Sequence, residues 1–225
     1  MIKKPNSIEL SSGGDAFLND LAISRVISAR TEGLVAILGG SRIPADSVYY
    51  ESAFRLATSL SKNGISITTG GGPGIMEAGN KGAQCVNNGE TSSYGLKVRY
   101  IKDDANENLF LDQHGDFTFN TLSVRMLTLI GNSDAIVFFP GGFGTFEELF
   151  SLLVRLEINM IQRIPVYLFG MKFWHGLLSW LSESVLKEGT IIDEHLKLFK
   201  IEDDVDTIAH AIVDHLGMQR SSKCK

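Results

Sequence analysis

Apolar positions along the chain follow two periods, and each change of period marks an element. Leu34-Val35-Ala36-Ile37-Leu38 is an unbroken apolar run closed by Gly39-Gly40, the pattern of a strand buried on both faces. Asp46 can cap a helix running to about Lys62, and Asn63-Gly64 ends it. Residues 65–69 (ISITT) read as a second strand, and a glycine-dense turn leads from it into a helix reaching about Val86. Residues 87–93 are polar loop, and 94–98 form a short strand. Residues 100–116 lack periodicity and read as one long functional loop. A helix over about 120–130 carries Leu122, Met126, Leu129 and Ile130 on one apolar face. Strand 135–139, a helix over roughly 145–161, strand 165–169, a Trp-containing helix over about 173–187 and a closing helix over 205–216 complete the series.

Strand and helix thus alternate at least four times. Such alternation demands parallel strands with right-handed crossovers. The predicted fold is α/β, a single Rossmann-like doubly wound parallel sheet with helices on both faces. Residues 1–33 are polar, Ser- and Gly-rich at 11–14, then helical over about 16–29, and read as an N-terminal extension. Residues 34–216 form the nucleotide-binding domain without internal linker composition, and 217–225 a flexible C-terminal tail.

Composition narrows the classes. The 225 residues are 44% hydrophobic and 21% charged, an ordinary globular balance. The net charge is −5 and the basic residues are scattered, so the footprint of a nucleic-acid groove is missing. No apolar run approaches the roughly 18–20 residues of a membrane helix, and the N-terminal lysines precede no apolar stretch, so no secretory signal is expected. Cys85 and Cys224 are too few for a disulfide framework or a four-cysteine metal site. A cytoplasmic protein with no membrane and no nucleic-acid partner is expected.

Two segments carry the chemistry. ITTGGGPGIME (67–77) and VFFPGGFGTFEE (137–148) each place a buried strand, a glycine-dense turn and a helix start with a nearby acid in that order. Glycine lets the backbone approach a ligand closely, and the uncommitted amides and positive dipole end of the helix then face it. Phosphate fits such a place. Neither segment is G-x-G-x-x-G, and neither has the Gly-Lys-Ser/Thr ending of a P-loop. The expected nucleotide- and phosphate-binding residues are Gly71, Gly72, Gly74, Glu77, Gly141, Gly142, Gly144 and Thr145, with Ser41 and Arg42 after the first strand.

Glu148 lies three residues after Thr145 and so shares its helix face about one turn on. A phosphate resting on Gly144 and Thr145 would bring a ribose to it. The helix start is expected to keep Glu148 ionised, suited to hold ribose hydroxyls, stabilise a cationic sugar or activate water, and unsuited to act as general acid. Glu147, and Glu77 if it faces solvent, fit the blander role of dipole-compensating acids. Arg125 sits near the apolar face of its helix and is favoured as functional over a surface ion pair. His114 and His175 have no partners at metal-ligand spacing, and no metal or cofactor is expected. Ser41 lacks the partners of a nucleophile. Trp174, Leu178 and Trp180 read as packing or dimer-contact residues.

PGGFGTFEE fits the signature P-G-G-x-G-T-x-x-E, and TGGGPGIMEAGNKGA fits the glycine-rich motif that precedes it, with GGSR at 39–42 and the helix YYESAFRLATSLSKNG. In these segments the chain resembles the Lonely Guy (LOG) family of phosphoribohydrolases, long labelled possible lysine decarboxylases. The resemblance implies hydrolysis of a nucleoside 5′-monophosphate at its N-glycosidic bond, releasing free base and ribose 5-phosphate. It assigns the phosphate to the loop 141–145, the catalytic pair to Glu148 and Arg125, and a homodimer to helices near the site. Nothing looks like a pyridoxal-phosphate lysine site. The chain departs from the family at Met126, where a lysine is common, at Lys97, where an asparagine is common, and at Asp103, Asp104 and Glu107. A non-catalytic carrier of a nucleotide or a nucleotide-containing cofactor, such as molybdenum cofactor, stays open as the alternative.

Overall fold

A computed structural model describes residues 13–30, 33–86, 91–99 and 108–223. Seven strands form one sheet in the order β4-β3-β2-β1-β5-β6-β7, and every neighbouring pair is parallel. They are β1 (Leu34–Leu38), β2 (Ser66–Thr69), β3 (Ser93–Val98), β4 (Asp116–Phe119), β5 (Ala135–Phe138), β6 (Val166–Phe169) and β7 (Lys200–Glu202). The helices are α1 (Gly13–Arg30), α2 (Val48–Lys62), α3 (Ile75–Gln84), α4 (Leu122–Gly131), α5 (Phe143–Glu157), α6 (Met171–Trp180), which continues into a π-helical turn at Leu181–Val185, and α7 (Val205–Lys223).

The two-faced burial of β1 follows from the period-two alternation of a strand. Leu34, Ala36 and Leu38 face one core with Ile136 and Phe138, and receive α4, α5 and α6 through Leu129, Leu149 and Trp174. Val35 and Ile37 face the other with Val137 and Phe139, and receive α2, α3 and α7 through Leu56, Ala78 and Ile208. Trp174 is fully buried and donates its indole N–H to Phe169 O at 3.1 Å.

Starting from β1 the chain first builds outward through β2 and β3 to β4, then returns to the other side of β1 for β5, β6 and β7. The switch point therefore lies between β1 and β5. The connections leaving these strands diverge to helices on opposite faces, α2 and α5, and open a crevice at the carboxyl end of the sheet.

The expected doubly wound sheet is present, with two edge strands more than the apolar pattern showed. β4 begins where the long loop was expected to end, and β7 has only three residues; both lie at sheet edges, where one exposed side replaces the apolar run of a central strand. Residues 100–107 of that loop lie outside the described residues. The cap of α2 is Ser47, whose Oγ accepts from Tyr49 N at 3.2 Å, rather than Asp46. Leu122 is 45% exposed, and Arg125 takes a buried place on α4 beside Val124 and Leu129. The closing helix continues to Lys223, so 217–223 are helical and not an irregular tail.

Candidate functional site

Three loops meet at the switch point: Gly39-Gly40-Ser41 after β1, residues 70–74 after β2 and residues 140–142 after β5. Gly40 is the hub, donating its amide to Pro140 O at 3.0 Å and accepting from Ile75 N at 3.2 Å. Gly74 adopts φ +67°, and a β-carbon there would come within 2.5 Å of Gly40 O, so only glycine closes this junction without strain.

The two glycine-rich loops differ in what their amides do. In the first, Gly71 N donates to the buried Thr69 Oγ1 at 3.0 Å and Ile75 N is taken by Gly40 O. Gly71, Gly72 and Gly74 are buried. Beneath them Asn80, fully buried on α3, accepts from Thr69 Oγ1 at 2.6 Å and from Asn108 Nδ2 at 3.0 Å, and donates to Ser93 Oγ at 2.8 Å. Asn108 Nδ2 also reaches Gly72 O at 3.2 Å. In the second loop, Gly142 is the N-cap of α5 and supplies no side-chain cap, and Phe146 N is the amide that reaches back to Gly142 O, at 3.1 Å. The amides of Phe143, Gly144 and Thr145 are then the uncommitted donors of a helix start. Nothing lies within 4 Å of a β-carbon at Gly142 or Gly144, and Phe143 is 95% exposed. Thr145 turns inward, packing against Gly141, and is buried. The amino-terminal end of α5 is open.

One helical turn past Thr145 stands Glu148, and α4 brings Arg125 to it. Arg125 Nη1 donates to Glu148 Oε1 in a buried ion pair, each residue 8% exposed. Arg125 Nε donates to Leu96 O at 2.8 Å. Its second terminal nitrogen lies over Gly70, where a β-carbon would collide with the guanidinium. The guanidinium thus links β3, the first glycine loop and α5. Glu148 Oε2 accepts no hydrogen bond among the described residues and stays available to a ligand hydroxyl or water.

Burial pushes the Glu148 carboxyl above its ordinary value; Arg125 pulls it back in part and Glu147 adds a smaller upward push. The direction is opposite to the lowering expected from the helix start. α5 begins at Phe143, two residues before the expected start, so Glu148 is the sixth helical residue. The dipole's influence is confined to about the first turn, and desolvation wins.

The other candidates are dispersed. Glu77, on α3 at the opposite face of the sheet, accepts from Tyr50 OH at 2.6 Å and so ties α3 to α2. Burial, then this carboxylate, raises the Tyr50 phenol. Ser41 and Arg42 are exposed, and Arg42 has no ion pair among the described residues. His114 and His175 are exposed, and among the described residues no group of His, Cys, Asp or Glu could hold a metal ion. Lys97 covers Gly71 with its stem and pairs its ammonium with Asp116 at 2.9 Å, while Met126 is buried in the core. The Asn80 network was missed in the sequence. Its signal was a polar residue among Ile75, Ala78, Gly79 and Ala83 on a buried helix face.

The sequence model of the family described as "Possible lysine decarboxylase" matches residues 76–212, more than half of the chain and all of the second loop with both Arg125 and Glu148. The chain belongs to this family. Its curated relatives within the LOG group include a cytokinin riboside 5′-monophosphate phosphoribohydrolase of Arabidopsis thaliana, 27% identical over 154 residues that cover 67% of this chain and 69% of that protein. A probable enzyme of the same name from Oryza sativa subsp. japonica is 24% identical over 186 residues, 81% of this chain and 78% of the relative. The chain also matches a bifunctional cytokinin biosynthesis protein of Fusarium pseudograminearum, 24% identical, but spans only 42% of that longer protein. Among solved structures, a molybdenum cofactor carrier protein of Chlamydomonas reinhardtii superposes with a TM-score of 0.59 at 17% identity, covering 83% of this chain and 99% of that one. The molybdenum cofactor binding protein of Rippkaea orientalis gives 0.54 at 19% identity, covering 81% and 96%. At these identities the likeness shows the fold, a Rossmann-like sheet shared by LOG-type and carrier proteins. No helix among the described residues is long and apolar enough to cross a membrane.

Proposed function

We propose that this member of the possible lysine decarboxylase family hydrolyses the N-glycosidic bond of a nucleoside 5′-monophosphate, releasing free base and ribose 5-phosphate. The observation that carries the reading is the buried Arg125–Glu148 pair one turn inside an open, uncapped helix start. The phosphate rests on the amides of Phe143, Gly144 and Thr145, where the helix dipole favours an anion. The ribose then lies against Glu148, whose free Oε2 takes a sugar hydroxyl or the attacking water. Ionised, Glu148 stabilises the oxocarbenium-like sugar as the bond to the base stretches; its raised pKa also equips it to accept the proton of the incoming water, while the departing base nitrogen takes its proton from solvent water. Arg125 keeps the carboxylate in place and offers charge to phosphate or leaving base. Gly70 is the gap through which the guanidinium reaches the site.

The names of the LOG relatives and the family match support this chemistry. A homodimer fits it too: Phe150 and Val154 on α5, the helix that carries Glu148, and Phe173 and Trp180 on α6 are apolar and exposed. With Cys85 a free thiol, the reading places the protein in a reducing, cytoplasmic compartment. The test is incubation with a panel of nucleoside monophosphates, AMP among them, and chromatography for released base. Release that disappears in Glu148→Ala while the nucleotide still binds supports the hydrolase. Saturable binding without release across the panel means a carrier, as in the neighbours that hold molybdenum cofactor, and overturns it.

A further inference from the structure

α1 precedes the span matched by the family, yet it is fastened to both ends of the helix that carries Arg125. At the start of α4, the Asp20 carboxylate is fully buried and accepts from Thr121 N at 2.7 Å, Asn120 N at 2.9 and 3.2 Å, and Asn120 Nδ2 at 3.1 Å. Thr121 is the N-cap of α4 and makes no side-chain cap bond of its own; the amides leading into the helix are held instead from another helix, about a hundred residues away in sequence. At the other end Ser28 Oγ donates to Oδ1 of Asn132, the C-cap residue, at 2.5 Å. Between these points Ile27 enters the same core as Val124 and Leu129.

A carboxylate removed from water is costly unless its bonds are complete, and the hydroxyl of Thr121 itself is of the type that caps helices without any charge. What the distant carboxylate adds is position. It grips two successive backbone amides at the turn from β4 into α4, and Arg125 N bonds Thr121 O at 3.1 Å, one turn from the grip. The Arg125 guanidinium has little latitude, being held between Leu96 O, the Gly70 gap and Glu148. We propose that Asp20 is a positioning residue: by fixing the Asn120-Thr121 turn from α1, it sets where α4 delivers the Arg125 guanidinium against Glu148. The proposal rests on the Arg125–Glu148 pair being the working pair of the hydrolase, and its test is read partly without turnover.

Full-length wild type, Asp20→Asn and Asp20→Ala are prepared with 13Cδ-labelled glutamate, the Glu148 resonance being the one absent from Glu148→Gln. Glu148 is titrated by NMR, and kcat and KM for AMP are measured alongside. The charged groups acting on Glu148 are Arg125 from α4 and Glu147 from its own helix. With Arg125 displaced its downward pull weakens, so Glu148 titrates at higher pH in Asp20→Ala and by a smaller margin in Asp20→Asn. kcat falls roughly ten- to a hundredfold, the scale of an ångström-sized misplacement. KM changes less than kcat, because the amides of Phe143, Gly144 and Thr145 that hold the phosphate are untouched. An unchanged Glu148 titration with lowered thermal stability alone makes Asp20 a plain structural cap and overturns the proposal. Should Asp20→Ala fail to fold, Asp20→Asn keeps the side chain's shape and gives the same readout. If wild type releases no base, the titration still decides Asp20, while the hydrolase reading fails separately.

Discussion

The two glycine-rich loops share a sequence plan and differ in what their backbone is free to do. In the first loop Gly71 N is engaged by Thr69 Oγ1 and Ile75 N, at the helix start behind it, by Gly40 O, and Gly70, Gly71, Gly72 and Gly74 lie buried above the Asn80 network. Residues 142–144 are exposed, uncapped and in open space. The glycines meet different surroundings. At Gly70 and Gly74 glycine lets protein approach protein, an arginine in one case and a backbone carbonyl in the other; at Gly142 and Gly144 a β-carbon would meet open space. Under the proposed function the free amides of the second loop, and not density of glycine alone, make the phosphate site.

The largest effect expected from this difference is at Glu148, beside the open loop. Glu148→Ala should lower kcat by roughly a thousandfold, within the range of a general acid–base group, with AMP affinity little changed by isothermal titration. Chemistry that survived would move the active group to the other loop. Next comes Arg125→Met, for which kcat should fall about a hundredfold, the scale of one preorganised charged donor. Because Arg125 holds the Glu148 carboxyl down against burial, its removal lets the carboxyl rise further. The acid limb of the kcat–pH profile, where the carboxylate is lost, should therefore move to higher pH.

The loops themselves separate by substitution. Gly74→Ala meets a positive φ and a carbonyl wall, and should cost roughly 1–3 kcal/mol of stability in chemical denaturation. Gly144→Ala sits inside a helix with free space around it, and should hold stability or raise it by up to about 1 kcal/mol. It should nevertheless weaken AMP binding about tenfold, or 1.4 kcal/mol. A Gly144→Ala that binds normally, or a Gly74→Ala that folds normally and loses binding, would reverse the assignment of the loops.

Much of the fold could be read from the chain because β1 and β5 are buried on both faces and leave no polar position to obscure them. β4 and β7 could not, since neither has an apolar run, and the polar–apolar alternation of Asp116–Phe119 and Lys200–Glu202 is only three or four residues long, too short to mark a strand. At the site, the residues Arg125 and Glu148 were legible as motif positions, and the structure pairs them. Their electrostatics were not, because the ionisation of Glu148 depends on where α5 starts and how deeply the pair is covered. The division of labour between the loops was equally hidden: the acceptors that engage Gly71 and Ile75 stand outside the run of glycines itself. Asp20 was hidden by distance, since its partners lie a hundred residues on.

The central claim, that the open start of α5 and not the first glycine loop grips the phosphate, is tested most directly by an amide 1H–15N titration of the wild-type protein with AMP. The account predicts saturable shifts concentrated on Phe143, Gly144 and Thr145, with Gly71, Gly72 and Gly74 moving little. Shifts concentrated on residues 70–74, with 143–145 unmoved at saturation, would contradict it.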